Sequence, residues 1–378
     1  MRDVSVADLT EDQQNILFSS TSKPLAVKGV AGSGKTILAV KRINQILKND
    51  SLSKILFIVF NKPMERYLNT FFQSDNVTIN TFHGFYYDNF NENAGFNWGQ
   101  IISKLENNKN IFDKFKYLFI DECQDFALHF YRFIKNNTNL IINIFGDDSQ
   151  KIRENKNNVT DIFIELDIDD RVNELKTNFR NTINVVSVAS KFISNIPKDY
   201  MIKKKGHDVV LNEYKSKEEE LNFIRNICTD FGSHNSIGVI VPTIDHIEYL
   251  YSKLKNINNV SVKRYHSNLY TKNEDEYNNF NINPEKNIYI LTYHSCKGLE
   301  FDYIILPFLN KFNVYSQERD YNKLYVAMTR TRYKGKLYLS YHNPFNKPSF
   351  IEKIIDSNYL IYHKSKKDDK SIDDSITF

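Results

Sequence analysis

The chain has 378 residues, 41% hydrophobic and 25% charged, a balance that builds folded domains and excludes a collagen-like fibre, a small disulfide scaffold and a wholly disordered polymer. At roughly 150 residues per domain, this length suggests two domains or three. Lys and Arg number 50 against 46 Asp and Glu, a net charge of +4, so any nucleic-acid surface has to be a local groove. The three cysteines (Cys123, Cys228, Cys296) are scattered, with no CxxC pair. That pattern suits a reducing, cytoplasmic setting and argues against a disulfide framework or a thiolate zinc site. The polar start MRDVSVADLTEDQQ is unlike a signal peptide, and no apolar run approaches the ~18 residues of a membrane span.

In chain order, Leu25–Val30, Ile55–Phe60, Tyr117–Ile120 and Leu140–Phe145 are short, nearly continuous apolar runs. Such runs are expected of strands buried on both faces of a parallel sheet. Thr36–Leu47 and Met64–Phe72 carry helical spacing between them. The second half repeats the rhythm, with strands expected at Ile237–Val241, Val260–Tyr265, Ile288–Tyr293, Tyr303–Leu306 and Leu337–Tyr341. The fold class is therefore α/β, with two parallel sheets. The expected domains are 1–172 and 173–362, divided near Asp167–Asn173, with a disordered charged tail over 363–378.

GVAGSGKT at Gly29–Thr36 follows an expected strand and opens an expected helix. This is the context of a phosphate-binding loop. Gly29, Gly32, Ser33 and Gly34 let backbone N–H groups turn toward phosphate oxygens; Lys35 adds charge near the β- and γ-phosphates, and Thr36 offers a hydroxyl to Mg²⁺. A Gly-rich turn of no function is the bland alternative. FIDECQD at Phe119–Asp125 is an apolar strand ending in two carboxylates, 86 residues after Lys35 in the case of Asp121. Asp121 suits a Mg²⁺ contact, and Glu122 suits the base that orients the attacking water. A carboxylate pair alone is usually a solvated loop; its place at a buried strand end makes the difference.

These motifs and those that follow resemble, in order, a superfamily 1 helicase motor of the UvrD/Rep type, from about Leu9 to Arg332. The resemblance implies two tandem RecA-like P-loop NTPase domains and an ATP hydrolase using ATP and Mg²⁺. LTEDQ at Leu9–Gln13 resembles the glutamine motif that reads adenine, although Thr10 and Gln13 equally form a helix capping box. FNKP at Phe60–Pro63 and TFHGF at Thr81–Phe85 resemble strand-contact motifs, which marks Asn61, Lys62 and His83; His83 could also be an ordinary loop histidine. GDDSQKI at Gly146–Ile152 places Gln150 as the γ-phosphate sensor. NFRN at Asn178–Asn181 and YVAMTRTR at Tyr325–Arg332 present Arg180 and Arg330 as arginine fingers, with Phe179 stacking on adenine. In TYHSCKGLEFD at Thr292–Asp302, Thr292, His294 and Lys297 would meet DNA and Glu300 the ribose.

Three departures stand out. No aromatic occupies Arg153–Lys156 after the sensor, Ile37 stands where the family often has an adenine-flanking arginine, and Phe179 replaces the usual tyrosine. The family's inserted accessory domains also lack room. Only 36 residues run from Phe85 to Ile120, and 111 lie between Arg180 and Thr292. The leading expectation is a compact single-stranded DNA translocase or helicase of 3′→5′ polarity, in DNA repair or phage defence. The alternatives are an ATPase subunit that switches or feeds a partner such as a nuclease, and an RNA-directed motor. Single-stranded DNA and a protein partner are the expected contacts, and a membrane is not.

Overall fold

The computed structural model describes residues 5–365 apart from 73, 96, 153–156, 169–171, 194–200, 203 and 284. The first sheet holds β1 (Leu25–Gly29), β2 (Ile55–Val59), β3 (Val77–Thr81), β4 (Tyr117–Ile120), β5 (Ile141–Gly146) and β6 (Val172–Leu175), in the order β3-β2-β4-β5-β1-β6. A two-stranded ribbon of β7 (Thr177–Asn178) and β8 (Met201–Ile202) follows. The second sheet holds β9 (Val209–Tyr214), β10 (Ser236–Val241), β11 (Val262–Tyr265), β12 (Asn287–Thr292), β13 (Phe301–Leu306), β14 (Thr331–His342) and β15 (Leu360–His363), in the order β11-β12-β10-β13-β14-β9-β15. Neighbouring strands in both sheets run parallel. Two parallel-sheet α/β lobes result, as the alternation of apolar runs led one to expect; that they are RecA-like is what the resemblance implied.

Two boundaries move. The strand β6 pairs with β1, with Val172 opposite Ala26, so the first lobe continues to Leu175 and does not end at 172. The strand β15 runs through His363, and the Ser365 hydroxyl donates to Glu213 at 2.7 Å. Residues 363–365 are thus part of the second lobe, and the rest of the expected tail lies outside the described residues.

The central strands carry the core: Phe57, Phe119 and Phe145 in the first lobe, and Ile290, Ile304 and Leu339 in the second, are completely buried. One apolar cluster, containing Met64, Leu299 and Tyr325, runs from lobe to lobe. The helix Lys35–Asn49 shows how local pattern meets packing. Leu38, Arg42, Ile43 and Ile46 lie on its buried face, and Gly34 caps its start in the left-handed conformation. Arg42 is 1% exposed, and burial pushes its pKa down to about 10. Its guanidinium remains charged at neutral pH. It donates to the carbonyls of Ile16, Ser19 and Ser20 and, at 2.8 Å, to Asn143 Oδ1, thereby closing the C-terminal end of the helix Glu11–Phe18. Arg42→Leu should lower unfolding stability by about 3 kcal/mol, because charged hydrogen bonds are lost and buried carbonyls are left without a donor. Urea unfolding with a lower midpoint and an unchanged slope is the expected result.

Candidate active site and nucleic-acid face

The chemistry-bearing residues stand at the C-terminal ends of parallel strands, where open α/β sheets place their ligand crevices. The loop after β1 turns at Gly32 and Gly34, with φ of 73° and 89°. A Cβ at Gly32 would run into Asn178 Oδ1, and one at Gly34 would meet Gln13 Nε2 at 2.9 Å, so both positions are restricted to glycine by backbone and space. This loop, Gln13, Thr36, Glu122, Gln150, Phe179, Arg180, Glu300 and Arg330 line one cleft of about 380 Å³ between the lobes.

Within the cleft the polar groups form a chain. Lys35 Nζ donates to the carbonyls of Gly29 (2.6 Å) and Val30 (3.2 Å) and lies 3.7 Å from Asp147 Oδ2. Gln150 Nε2 donates to the same Asp147 oxygen at 2.7 Å, and Gln150 Oε1 accepts from Arg330 Nη2 at 2.7 Å. A group of the second lobe is thereby connected, through the expected sensor, to the lysine of the phosphate loop. Arg330 is 1% exposed; burial first, and then the nearby Arg180, lower its pKa to about 10. Arg180 Nε donates to Glu300 Oε1 at 2.7 Å. Burial acts to raise the Glu300 pKa, but the positive charges around it, Arg180 foremost and Arg332 among them, together outweigh burial and hold the carboxyl down at about 2.

Thr36 Oγ1 donates to Asp121 Oδ2 at 2.7 Å. Burial, and then the adjacent Glu122, raise Asp121 to about 6. Glu122 has the left-handed φ of 56° and accepts from Gln124 Nε2 at 2.7 Å. Burial works against its charge, but Lys297 and Lys35 prevail and hold it below the ordinary glutamate value. Ser33 Oγ is buried with no hydrogen-bond partner among the described residues. An unsatisfied hydroxyl in a glycine cradle, beside a Thr–Asp oxygen pair and a lysine, fits a phosphate with Mg²⁺.

Gln13 serves in two ways. Its side chain completes the capping box with Thr10, and its Nε2 donates to Ser33 O at 2.9 Å, on the cleft wall. The capping alternative and the cleft position hold together. Phe179 and Ile37 line the same cleft, while Arg153–Lys156 lie outside the described residues.

The strand candidates gather on a neighbouring face. Asn61 and Thr81 cap the helices Lys62–Asn69 and Phe82–Phe90 at the ends of β2 and β3, accepting from Met64 N (2.9 Å) and Gly84 N (3.0 Å). Lys62 Nζ donates to Glu65 at 2.9 Å, and His83 is half-buried with its ring edge-on to Phe82. Thr292 ends β12, with its hydroxyl 3.0 Å from Ser295 Oγ, and His294 is exposed in the loop beyond. Asn61 Nδ2 reaches across the lobes to Ser295 O (3.3 Å) and Lys297 O (3.0 Å).

Residues 13–156 match the family model described as an AAA domain, and residues 242–344 match that of the UvrD-like helicase C-terminal domain. The chain belongs to the UvrD-like superfamily 1 helicases. A member of this family is an ATP-hydrolysing, nucleic-acid-binding helicase or translocase. A comparison with curated proteins finds no match. Among solved structures, Dbp5 of S. cerevisiae bound to RNA and ADP BeF3 is 14% identical with a TM-score of 0.55, covering 94% of this chain and 90% of that one. That likeness is one of fold. Pif1 helicase from Candida albicans (15% identity, TM-score 0.47) covers 92% of this chain and 98% of its own. The C-terminal domain of a possible DNA helicase from Lactobacillus plantarum WCFS1 (15%, 0.34) covers 49% and 98%.

In this UvrD-like chain one expected strand contact is displaced. Lys297 is fully buried, with its ammonium taken by first-lobe groups, so it is not placed to meet a strand. The sequence reading also left Gln124, Asp125 and Asp147 unassigned inside their motifs. Their partners lie 23 residues away for the Gln124–Asp147 bond and 172 for Asp125–Lys297, so no local pattern reveals them. Among the described residues no helix is long and apolar enough to cross a membrane.

Proposed function

We propose that this chain is an ATP-driven translocase on single-stranded DNA, moving 3′→5′ by alternate closing and opening of lobes 5–175 and 177–365. The observation that carries the reading is the convergence of Lys35, Glu122 and Gln150 from one lobe with Arg180 and Arg330 from the other on a single cleft. In this reading Lys35 exchanges its carbonyl partners for the β- and γ-phosphates, and Glu122 orients and deprotonates water. Gln150 senses the γ-phosphate, while Arg180 and Arg330 approach the charge that develops in the transition state. Gln13 and Phe179 hold the base and Glu300 the ribose. Thr36 and Asp121 would hold Mg²⁺, which when bound neutralises charge on the phosphate oxygens. Asn61, Lys62, His83, Thr292 and His294 form the strand face. Because the fingers belong to one lobe and the phosphates to the other, hydrolysis requires closure, and a strand lying across both lobes favours it.

The cellular role we assign is cytoplasmic DNA repair or phage defence, together with a protein partner such as a nuclease. Phosphate release measured with single-stranded DNA, duplex DNA and single-stranded RNA tests the nucleic-acid class. Stimulation by single-stranded DNA well above the other two is expected, and preferential stimulation by RNA would replace the DNA reading.

A further inference from the structure

A lysine ammonium removed from water is costly unless it is fully paired. Lys297 is 0% exposed, and the partners of its ammonium among the described residues come from the opposite lobe. Its Nζ donates to the Asp125 carboxylate and to Gln150 O at 2.7 Å, lies 3.4 Å from Glu122 Oε2, and sits 4.8 Å from the centre of the Phe60 ring. It therefore ties together the segments after β2, β4 and β5.

The outside of the same loop faces the strand site. His294 is exposed three residues earlier, and Asn61 fastens the intervening carbonyls. Gly298, with φ of 84°, turns the chain back immediately afterwards, and a Cβ there would meet Met64 Sδ at 3.2 Å. One short loop thus has an outer end at the nucleic-acid face and an inner end at Glu122. Glu122 itself has a left-handed backbone, a conformation non-glycine residues adopt only where the surroundings impose it. Gln124 supplies one constraint from the same lobe, and Lys297 supplies one from the other.

We propose that Lys297 is a positioning residue that aligns Glu122 when the strand-facing loop is docked, making water activation depend on that docking. This rests on the reading of Glu122 as the group that activates water. It differs from a phosphate-contact role, which would require the ammonium to leave Asp125 buried without its cation.

Three variants separate these possibilities. Lys297→Met should lower kcat by ~10-fold or more at saturating ATP and mixed-sequence single-stranded oligonucleotide, a part of the ~10²–10⁴ that a placed general base contributes. The KM for ATP, the oligonucleotide Kd and its salt dependence should not change. The charge-balanced Lys297→Met/Asp125→Asn variant guards against a folding defect; it should melt like the parent and stay slow. A weakened oligonucleotide Kd with a salt slope smaller by about 1, and kcat intact at saturation, would instead mark a phosphate contact and overturn the proposal. Recovery of kcat in the double variant would overturn it too, by showing only a structural charge pair. Glu122→Gln is measured alongside. If it still hydrolyses ATP, the reading of the cleft is wrong; if it is inactive while Lys297→Met is normal, only the present inference fails.

Discussion

Lys35→Ala and Arg330→Ala should each lower kcat for ATP hydrolysis by at least ~10²-fold, with the arginine effect reaching toward the ~10³–10⁵ that such fingers supply. Lys35 is the cation of the phosphate loop, and its ammonium is held ready by the Gly29 and Val30 carbonyls. Arg330 is poised by Val326 O at 2.9 Å and by Gln150, so it arrives with its direction already set. An oriented charge in a dry cleft costs little reorganisation at the moment of reaction. The measurement is phosphate release at saturating ATP and oligonucleotide, beside a melting curve for each variant. Near-parental turnover in Arg330→Ala would end the two-lobe closure mechanism.

Strand separation should be weak even where ATP turnover is brisk. Moving along one strand needs two lobes that close and reopen. Opening a duplex also requires breaking stacking worth ~1.4 kcal/mol per base-pair step and keeping the strands apart. In the wider family, inserted domains meet the duplex ahead of the motor. Here the interval from Phe85 to Ile120 is occupied by the remainder of the helix Phe82–Phe90, the helix Trp98–Asn107, a short 3₁₀ turn and β4. Those helices complete the aromatic core of the first lobe, in which Phe82, Trp98, Phe126 and Phe130 pack together. The interval from Arg180 to Thr292 is taken up by the second sheet and its connecting helices. A 3′-tailed duplex under single-turnover conditions should therefore release little long product from the purified chain. Processive displacement of long duplexes by a monomer would show that the compact lobes suffice.

Most strands that sequence reading found are interior ones such as Ile55–Val59, whose five residues are all buried; the edge strand β11, found at Val260–Tyr265, is the exception. Those it missed lie at or beside sheet edges. The strands β3 and β6 are the two borders of the first sheet, and β15 borders the second with β9 beside it. VTINT and VNEL mix polar with apolar residues because one side of each has no neighbouring strand to satisfy. The cleft was legible because the phosphate loop and the carboxylate pair each follow an apolar run. The connections across it were not. Asp147 is one of two adjacent aspartates in GDDSQ, and only the folded chain distinguishes the one that meets both Gln150 and Lys35. Lys297 reads as a strand contact in TYHSCKGLEFD; its burial is decided by residues more than a hundred positions earlier.

The strand order of the second sheet sets a schedule for biosynthesis. The first sheet has all its strands once Leu175 has left the ribosome. The strand β9 emerges soon after, but its neighbours are β14 and β15, which begin at Thr331 and Leu360. At ~5–20 residues per second the VVLNEY segment waits roughly 6–23 seconds without either partner. Its Val209 and Leu211, completely buried in the finished lobe, lack both strand neighbours throughout that interval. Late pairing of distant segments also makes for slow folding. Glu122, Asp125 and Gln150 meanwhile lack their second-lobe partners, so the cleft acquires its two-lobe arrangement only after Lys297 and Arg330 have emerged.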